Sequence, residues 1–543
     1  MRRGAVLALL VAAVALPIRA QAVASDTTGR SAEAGPPTGD EVGGVEVRQA
    51  VQHDVSGPLR DAKVASPSAA NMKERPLRPL PPIGGPVADG AVQPESTSQV
   101  AATTVQGFDG LGLGKYGFTV RYAPPDTVGA VGETQYVQWV NDQFAVFSKT
   151  TGAIVATFPK AGNAPWAGFG GGCETNNDGD PIVQYDKLAQ RWVLTQFSVS
   201  TTPYLQCVAV STSPDATGSY NRYAFSYGNT QFNDYPKLGV WPDGYYVSYN
   251  IFNNGATWAG AKVCALDRAS MLTGASATQQ CFQLSTSYGG LLPSDVDGTT
   301  PPPSGSPNYF LNFGTNRLNL WKFQVDFGTP TNTRLIGPTA VSGVAAFAPA
   351  CGGGGNCVPQ PGTSQKLDSL GDRLMYRLAY RNRAGAESLV VNHSVSVGKN
   401  SRSQTTSVRW YQIGVSASGT SSVLQQGTLS AADGTSRWMG SIAQDKVGNI
   451  ALGYSASSSS VYPSVRFTGR VPSDTAGTMQ AEIVAKAGNG SQLQNLSRWG
   501  DYSAMTVDPV DDCTFWYTSE YMAANGTFNW NTWINSFKLP GCA

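Results

Sequence analysis

Asp126, Asp180, Asp234, Asp295, Asp372 and Asp501 each stand just ahead of an apolar run, and the first three recur every 54 residues. Equivalent positions of successive repeats meet when the repeats close about an axis. Carboxylates gathered in that way bind a cation, shift one another's proton affinity, or divide the roles of acid and base. Turn capping is the structural alternative, because an Asp at a strand start bonds neighbouring backbone N–H groups. Arg373, Arg437 and Arg498 lie beside three further entries, the last two 61 residues apart. At one mouth they would clamp a carboxylate through paired N–H donors. Trp438 and Trp499 follow two of them and, with Trp241, are candidate platforms for stacking a sugar ring, arginine–tryptophan packing being the alternative.

A second constellation is Glu174-Thr175-Asn176-Asn177-Asp178-Gly179-Asp180. It approximates the opening of a calcium loop, with Glu174, Asn176, Asp178 and Asp180 as oxygen ligands and Gly179 at the turn. An ordinary Asn/Gly/Asp turn has the same composition. Histidine offers little, since the chain has 2. His393 alternates with Leu389, Val391, Val395 and Val397, the pattern of a packed strand face, and His53 lies in a segment of low aromatic content. No Ser-His-Asp triad, Walker loop or dinucleotide fingerprint can be assembled.

The elements that must position these residues are strands. From Tyr116 to Cys542 short aromatic and β-branched runs alternate with Gly, Asn, Asp, Ser and Pro turns, without a long stretch of helical period. Seven repeat starts in this region give about 61 residues per unit, enough for a four-stranded blade of about 40 to 50 residues with insertions. The expectation is an all-β fold, a seven-bladed β-propeller with six blades as the alternative. The last unit reads as three strands, so a strand near Phe118-Thr119-Val120 is expected to close it. The turns Asp445-x-x-Gly448-Asn449 and Trp241-Pro242-Asp243-Gly244 resemble the Asp-box hairpins of sialidase-like propellers. Residues 116–542 resemble uncharacterised secreted bacterial β-propeller proteins through DYPKLGVWPDGYY and RWGDYSAMTVDPVDD. What that resemblance implies is the propeller fold. The three arginines are similar to the triad with which sialidases hold a substrate carboxylate, and Tyr502 would then resemble their tyrosine nucleophile.

Residues 1–22 read as a secretory signal peptide: Met1-Arg2-Arg3, an apolar run from Gly4 to Leu16, then Ala20-Gln21-Ala22. Residues 23–106, rich in Ala, Gly, Ser and Pro, are expected to be a disordered linker or pro-segment, and 107–543 the folded domain. A secreted or periplasmic address suits the eight cysteines Cys173, Cys207, Cys264, Cys281, Cys351, Cys357, Cys513 and Cys542. Pairing in sequence order staples four local loops, although eight cysteines allow 105 connectivities. The 38 Lys+Arg against 37 Asp+Glu leave no basic excess for phosphate neutralisation, so nucleic acid is excluded as a partner, and no membrane span is expected. The function expected is a secreted carbohydrate-active propeller, hydrolysing an extracellular polysaccharide with Asp501, Asp234 or Asp372 as acid. The alternative is a non-catalytic recognition or adhesion propeller binding glycan or protein, with calcium as an aid.

Overall fold

Strand follows strand along the chain because the alternation of inward apolar and outward polar residues is broken every few residues by a turn former. The computed structural model describes Met1 and residues 44–63, 72–85, 87–96, 98–398, 405–429 and 433–543. The expected signal peptide lies outside the described residues, apart from Met1. The described fold is all-β, with two short α-helices, Gly171–Thr175 and Arg268–Thr273.

Among the described residues, seven antiparallel runs of four strands succeed one another. Their first strands are Val128–Val131, Ile182–Asp186, Gln231–Val240, Leu292–Val296, Leu374–Arg383, Ser436–Gln444 and Ala504–Val507. Each of these first strands touches the next, and Ala504–Val507 touches Val128–Val131. Between the fourth and fifth runs the contact is a parallel ladder, Ser294 opposite Leu378. Large aromatic side chains fill the space around these strands. Trp139, Trp192, Trp241, Trp321, Trp410, Trp438, Trp499 and Trp516 are all fully buried.

The seventh run takes its fourth strand from far away in sequence. Thr103–Gly112 pairs antiparallel with Trp530–Lys538, and Gln138 secures it by accepting from the Leu111 N–H at 2.7 Å. Phe118 and Val120, the expected closing strand, are instead buried residues outside any strand. The earlier strand serves because its polar and glycine-rich sequence suits a half-exposed edge, which an apolar pattern cannot reveal.

The expectation of a disordered segment to about residue 106 does not hold for the described parts of it. Glu46–Gln49 adds a fifth strand to the third run, Glu46 lying opposite Cys281, and Gln52–Val55 adds one to the second. His53 stacks on Tyr223 with centroids 5.9 Å apart. Asp89, its side chain buried, pairs with Arg409 and accepts from the Thr428 hydroxyl at 2.9 Å. Such a segment is polar because it covers the edges of a finished fold and has no core of its own.

The four disulfides are Cys173–Cys207, Cys264–Cys281, Cys351–Cys357 and Cys513–Cys542, the pairing in sequence order. Disulfides persist in oxidising surroundings, which places the folded chain in an extracellular or similarly oxidising compartment. Among the described residues no helix is long and apolar enough to cross a membrane. In the Asp445 turn, the carboxylate accepts the N–H groups of Val447, Gly448 and Asn449 at 2.9 to 3.0 Å, and Gly448 supplies the left-handed φ of 96° that the hairpin needs.

Candidate functional site

The candidate site begins with a backbone feature that the repeat imposes. Asp126, Asp180 and Asp501 each enter their strand region at positive φ, 51°, 45° and 59°, and Tyr235, one residue past Asp234, does so at 52°. Asp tolerates the left-handed region better than most residues, whereas an aromatic residue there is strained by roughly 1 to 3 kcal/mol. The kink turns the four aspartates of the first, second, third and seventh runs toward one cavity of about 190 Å³. Its walls include Asp126, Asp178, Asp180, Asp234 and Asp501 together with Arg373, Arg498, Tyr235, Phe197 and Phe232.

Burial dominates the electrostatics. Asp126 is pushed well above the usual carboxylate range by burial, then by the charges of Asp501 and Asp180. Its Oδ1 has no hydrogen-bond partner. Asp180 is raised by burial against the pull of Lys237, and its Oδ2 accepts the Tyr235 N–H at 3.2 Å. Asp234 is pushed up to about 7, by burial first and Asp180 second. Beneath the aspartates Lys237 is fully buried. Its ammonium lies 3.5 Å from the centroid of the Tyr235 ring and 4.0 Å from that of Tyr502, and burial brings its pKa down to about 7. Arg498 pairs with Asp501 and lies 3.4 Å from Asp368, while Arg373 pairs with its neighbour Asp372 at 2.7 Å. Both guanidinium groups stay charged because their carboxylates outweigh the desolvation.

The roof of this cavity is the chain's own N-terminal segment. Lys73 and Arg75 donate their backbone N–H groups to Arg121 and Ala123, laying Lys73–Glu74 parallel to Tyr122–Ala123. Arg78 reaches Asp234 at 3.2 Å over the Phe232 ring, and the Leu80 N–H reaches Asp372 at 2.9 Å. Lys73, Arg75, Pro76, Leu77 and Arg78 all line the cavity.

The cavity thus gathers Asp126, Asp180, Asp234, Asp501, Arg373 and Arg498 of the expected set, with Asp372 joined through Arg373. Other expected members lie elsewhere. Asp295 is held in the interior by Arg377 at 3.0 Å, Gln184 and the Val240 N–H. Arg437 is held by Glu482 and Asp433 in a different cleft, so no triad of arginines forms. Its partners come from the turn before its own strand and from the loop before Ile483–Lys486, a placement invisible in the Arg-Trp repeat. Tyr502 is no free nucleophile, since it is fully buried and donates to the Pro181 carbonyl at 3.0 Å. Trp438, Trp499 and Trp241 are fully buried too, Trp438 and Trp499 packing together at 5.9 Å, and they offer a sugar no face.

The four expected calcium ligands point to separate partners. Glu174 accepts the N–H groups of Gly168 and Gly170, and Asn176 donates to Ser198 and Thr201. Asp178 accepts the N–H groups of Val199 and Ser200, while Asp180 faces the cavity. They do not fit a calcium loop, and among the described residues no group of three or more His, Cys, Asp or Glu is arranged to hold a metal ion. His393 is a packed core residue, its Nε2 3.0 Å from the Tyr411 hydroxyl, and burial drives its pKa down.

Sequence reasoning missed Lys237, Tyr235, Asp368, Arg75 and Arg78, and also Glu520, buried beneath the Gly500 N–H with its pKa raised by burial. A signal existed for two of these. Arg-Pro-Leu-Arg-Pro-Leu, residues 75–80, repeats with the three-residue period of an extended polyproline-type chain, which sends both arginines to one side.

No protein-family model and no curated protein sequence matches the chain. Solved structures with slight likeness include a protein of unknown function from Dyadobacter fermentans DSM 18053, with 11% identity, 57% of this chain and 96% of that chain covered, and a TM-score of 0.23. Another is a polysaccharide lyase of family PL25, an ulvan lyase, with 11% identity, 79% and 81% covered, and 0.26. A third is an endo-arabinase from Bacteroides thetaiotaomicron VPI-5482, with 9% identity, 66% and 93% covered, and 0.25. At TM-scores of this size no activity transfers to this chain, and its chemistry rests on its own residues.

Proposed function

We propose that the chain is a secreted, closed seven-bladed β-propeller that acts on an extracellular glycan at the acidic mouth. The ring is supported by the cyclic order of contacts among the seven first strands. The acid–base role is supported by one observation above all: Asp234, raised to about 7, shares a cavity with Asp180 and Asp501. A carboxyl that keeps its proton near neutrality beside others is what protonation of a leaving glycosidic oxygen requires. Asp234 is the general acid in this reading, Asp501 the carboxylate held by Arg498, and Arg373 the group that orients an anionic or hydroxyl-rich sugar.

The test is a polysaccharide panel assayed for reducing-end release, with Asp234→Asn and Asp501→Asn beside the native chain. Release by the native chain, cut by roughly 10² or more in either variant, supports the reading. Retention of a glycan without release favours the recognition module instead, a second reading favoured by the covered mouth. Neither release nor retention across the panel removes glycan as the ligand.

A further inference from the structure

The mouth gathers more aspartates than the arginines beside them can pair. Five aspartates line it with two guanidinium groups from the loops that enter the runs, Arg373 and Arg498, and with Lys237 buried beneath them. The remaining cations in the lining, Lys73, Arg75 and Arg78, come from the segment that roofs it. Asp126, 2% exposed, still keeps one carboxylate oxygen without a partner. A buried oxygen left without a partner costs free energy that a hydrogen-bond donor entering the mouth would recover.

The roof is also held as a bound peptide is held. Arg498 and Arg373 donate to the backbone carbonyls of Arg75 and Arg78 at 2.8 and 3.2 Å. Asp372 accepts a backbone N–H from the roof, and Glu74 accepts the N–H groups of Ser497 and Arg498 at 3.0 and 3.1 Å. The Arg75 guanidinium donates to the Asp178 carbonyl at 2.7 Å, and that of Arg78 faces Asp234. Main-chain contacts give a peptide its affinity and side-chain pockets give it specificity. A proline after each arginine keeps the segment extended, so little conformational entropy is lost on seating.

We propose that the mouth is a binding site for an extended, arginine-bearing peptide strand, and that residues 73–80 are its tethered occupant. A glycan or a partner peptide then gains the mouth only when this segment leaves. The inference goes beyond glycan turnover and does not depend on it. Peptide binding with no glycan release would remove the earlier reading and leave this one standing.

The experiment uses a fluorescent peptide, Lys-Glu-Arg-Pro-Leu-Arg-Pro-Leu, titrated by anisotropy into the native chain and into the variant Arg75→Ala/Arg78→Ala. Tethering holds the native segment at an effective concentration on the order of millimolar, which the free peptide must beat. The expected result is binding at least tenfold tighter to the variant than to the native chain. Replacing both peptide arginines by Gln, or adding Asp234→Asn to the variant, should each weaken it at least tenfold. Should the double variant melt with the profile of an unfolded chain, Arg78→Ala alone replaces it. Faster hydrogen exchange at the Leu80 amide without any gain in peptide binding overturns the proposal. So does binding of the Gln peptide as tight as that of the arginine peptide. Equal binding of a glucosamine oligomer also overturns it, since charge and not a peptide strand would then be what the mouth reads.

Discussion

Asp234→Asn separates a carboxyl that keeps its proton near neutrality from one that is merely buried. Asp234 is pushed from 3.8 to about 7 with Arg78 as its ion partner, burial being the larger cause. An acid whose folded pKa lies above its unfolded value holds its proton more tightly in the folded chain. Its contribution to stability is therefore fully present below 3.8, is lost as pH rises toward 7, and is constant above. At about 1.4 kcal/mol for each pH unit, the interval amounts to about 4 kcal/mol. Asparagine carries no titrating proton, so the variant should gain about that much on the native chain between pH 4 and 8, whatever fixed offset the lost Arg78 contact brings. Lys237 has the opposite sign: lowered from 10.5 to about 7, it should add stability as pH rises from 7 to about 10, outside most of this window. Guanidinium chloride unfolding followed by tryptophan fluorescence, disulfides intact, measures the difference at each pH. A native-to-variant difference that stays within about 1 kcal/mol from pH 4 to 8 would refute the protonated carboxyl, and with it Asp234 as general acid.

Trp499→Ala should cost about 3 to 5 kcal/mol in the same unfolding assay, because the ring is fully buried against Trp438 and bonds Ser455 at 3.1 Å. Tyr502→Phe should cost about 1 kcal/mol by leaving the Pro181 carbonyl without its donor, and should leave glycan release, wherever it is found, within about twofold. Cys513→Ser/Cys542→Ser should lower stability by roughly 3 to 4 kcal/mol, the loop between them being 29 residues, as read from the melting midpoint. Removal of residues 44–56 should lower the circular dichroism melt while leaving a cooperative transition. Removal of 44–112 should abolish that transition, since it strips Trp530–Lys538 of its ladder and Gln138 of its buried partner.

Much of the fold was legible because its signals are local. Strand alternation, turn residues and the 54-residue recurrence of aspartate lie within one unit, and stacking units of that kind needs no information from elsewhere. The same recurrence brought Asp126, Asp180 and Asp234 to one cavity, since equal register places equal positions around a common centre. Short loops between the cysteines made sequential pairing readable, and the structure has it. What the tertiary structure alone decided is long in sequence and short in space. Glu46–Gln49 and Thr103–Gly112 are polar strands whose partner edges lie more than two hundred residues away, so composition made them resemble a linker. Arg437 left the expected set because Glu482 and Asp433 took it. Arg75 and Arg78 entered it because the Asp178 carbonyl and the Asp234 carboxyl take their guanidinium groups. Charge balance around a cavity is a sum over residues from many sheets, and no stretch of sequence contains it.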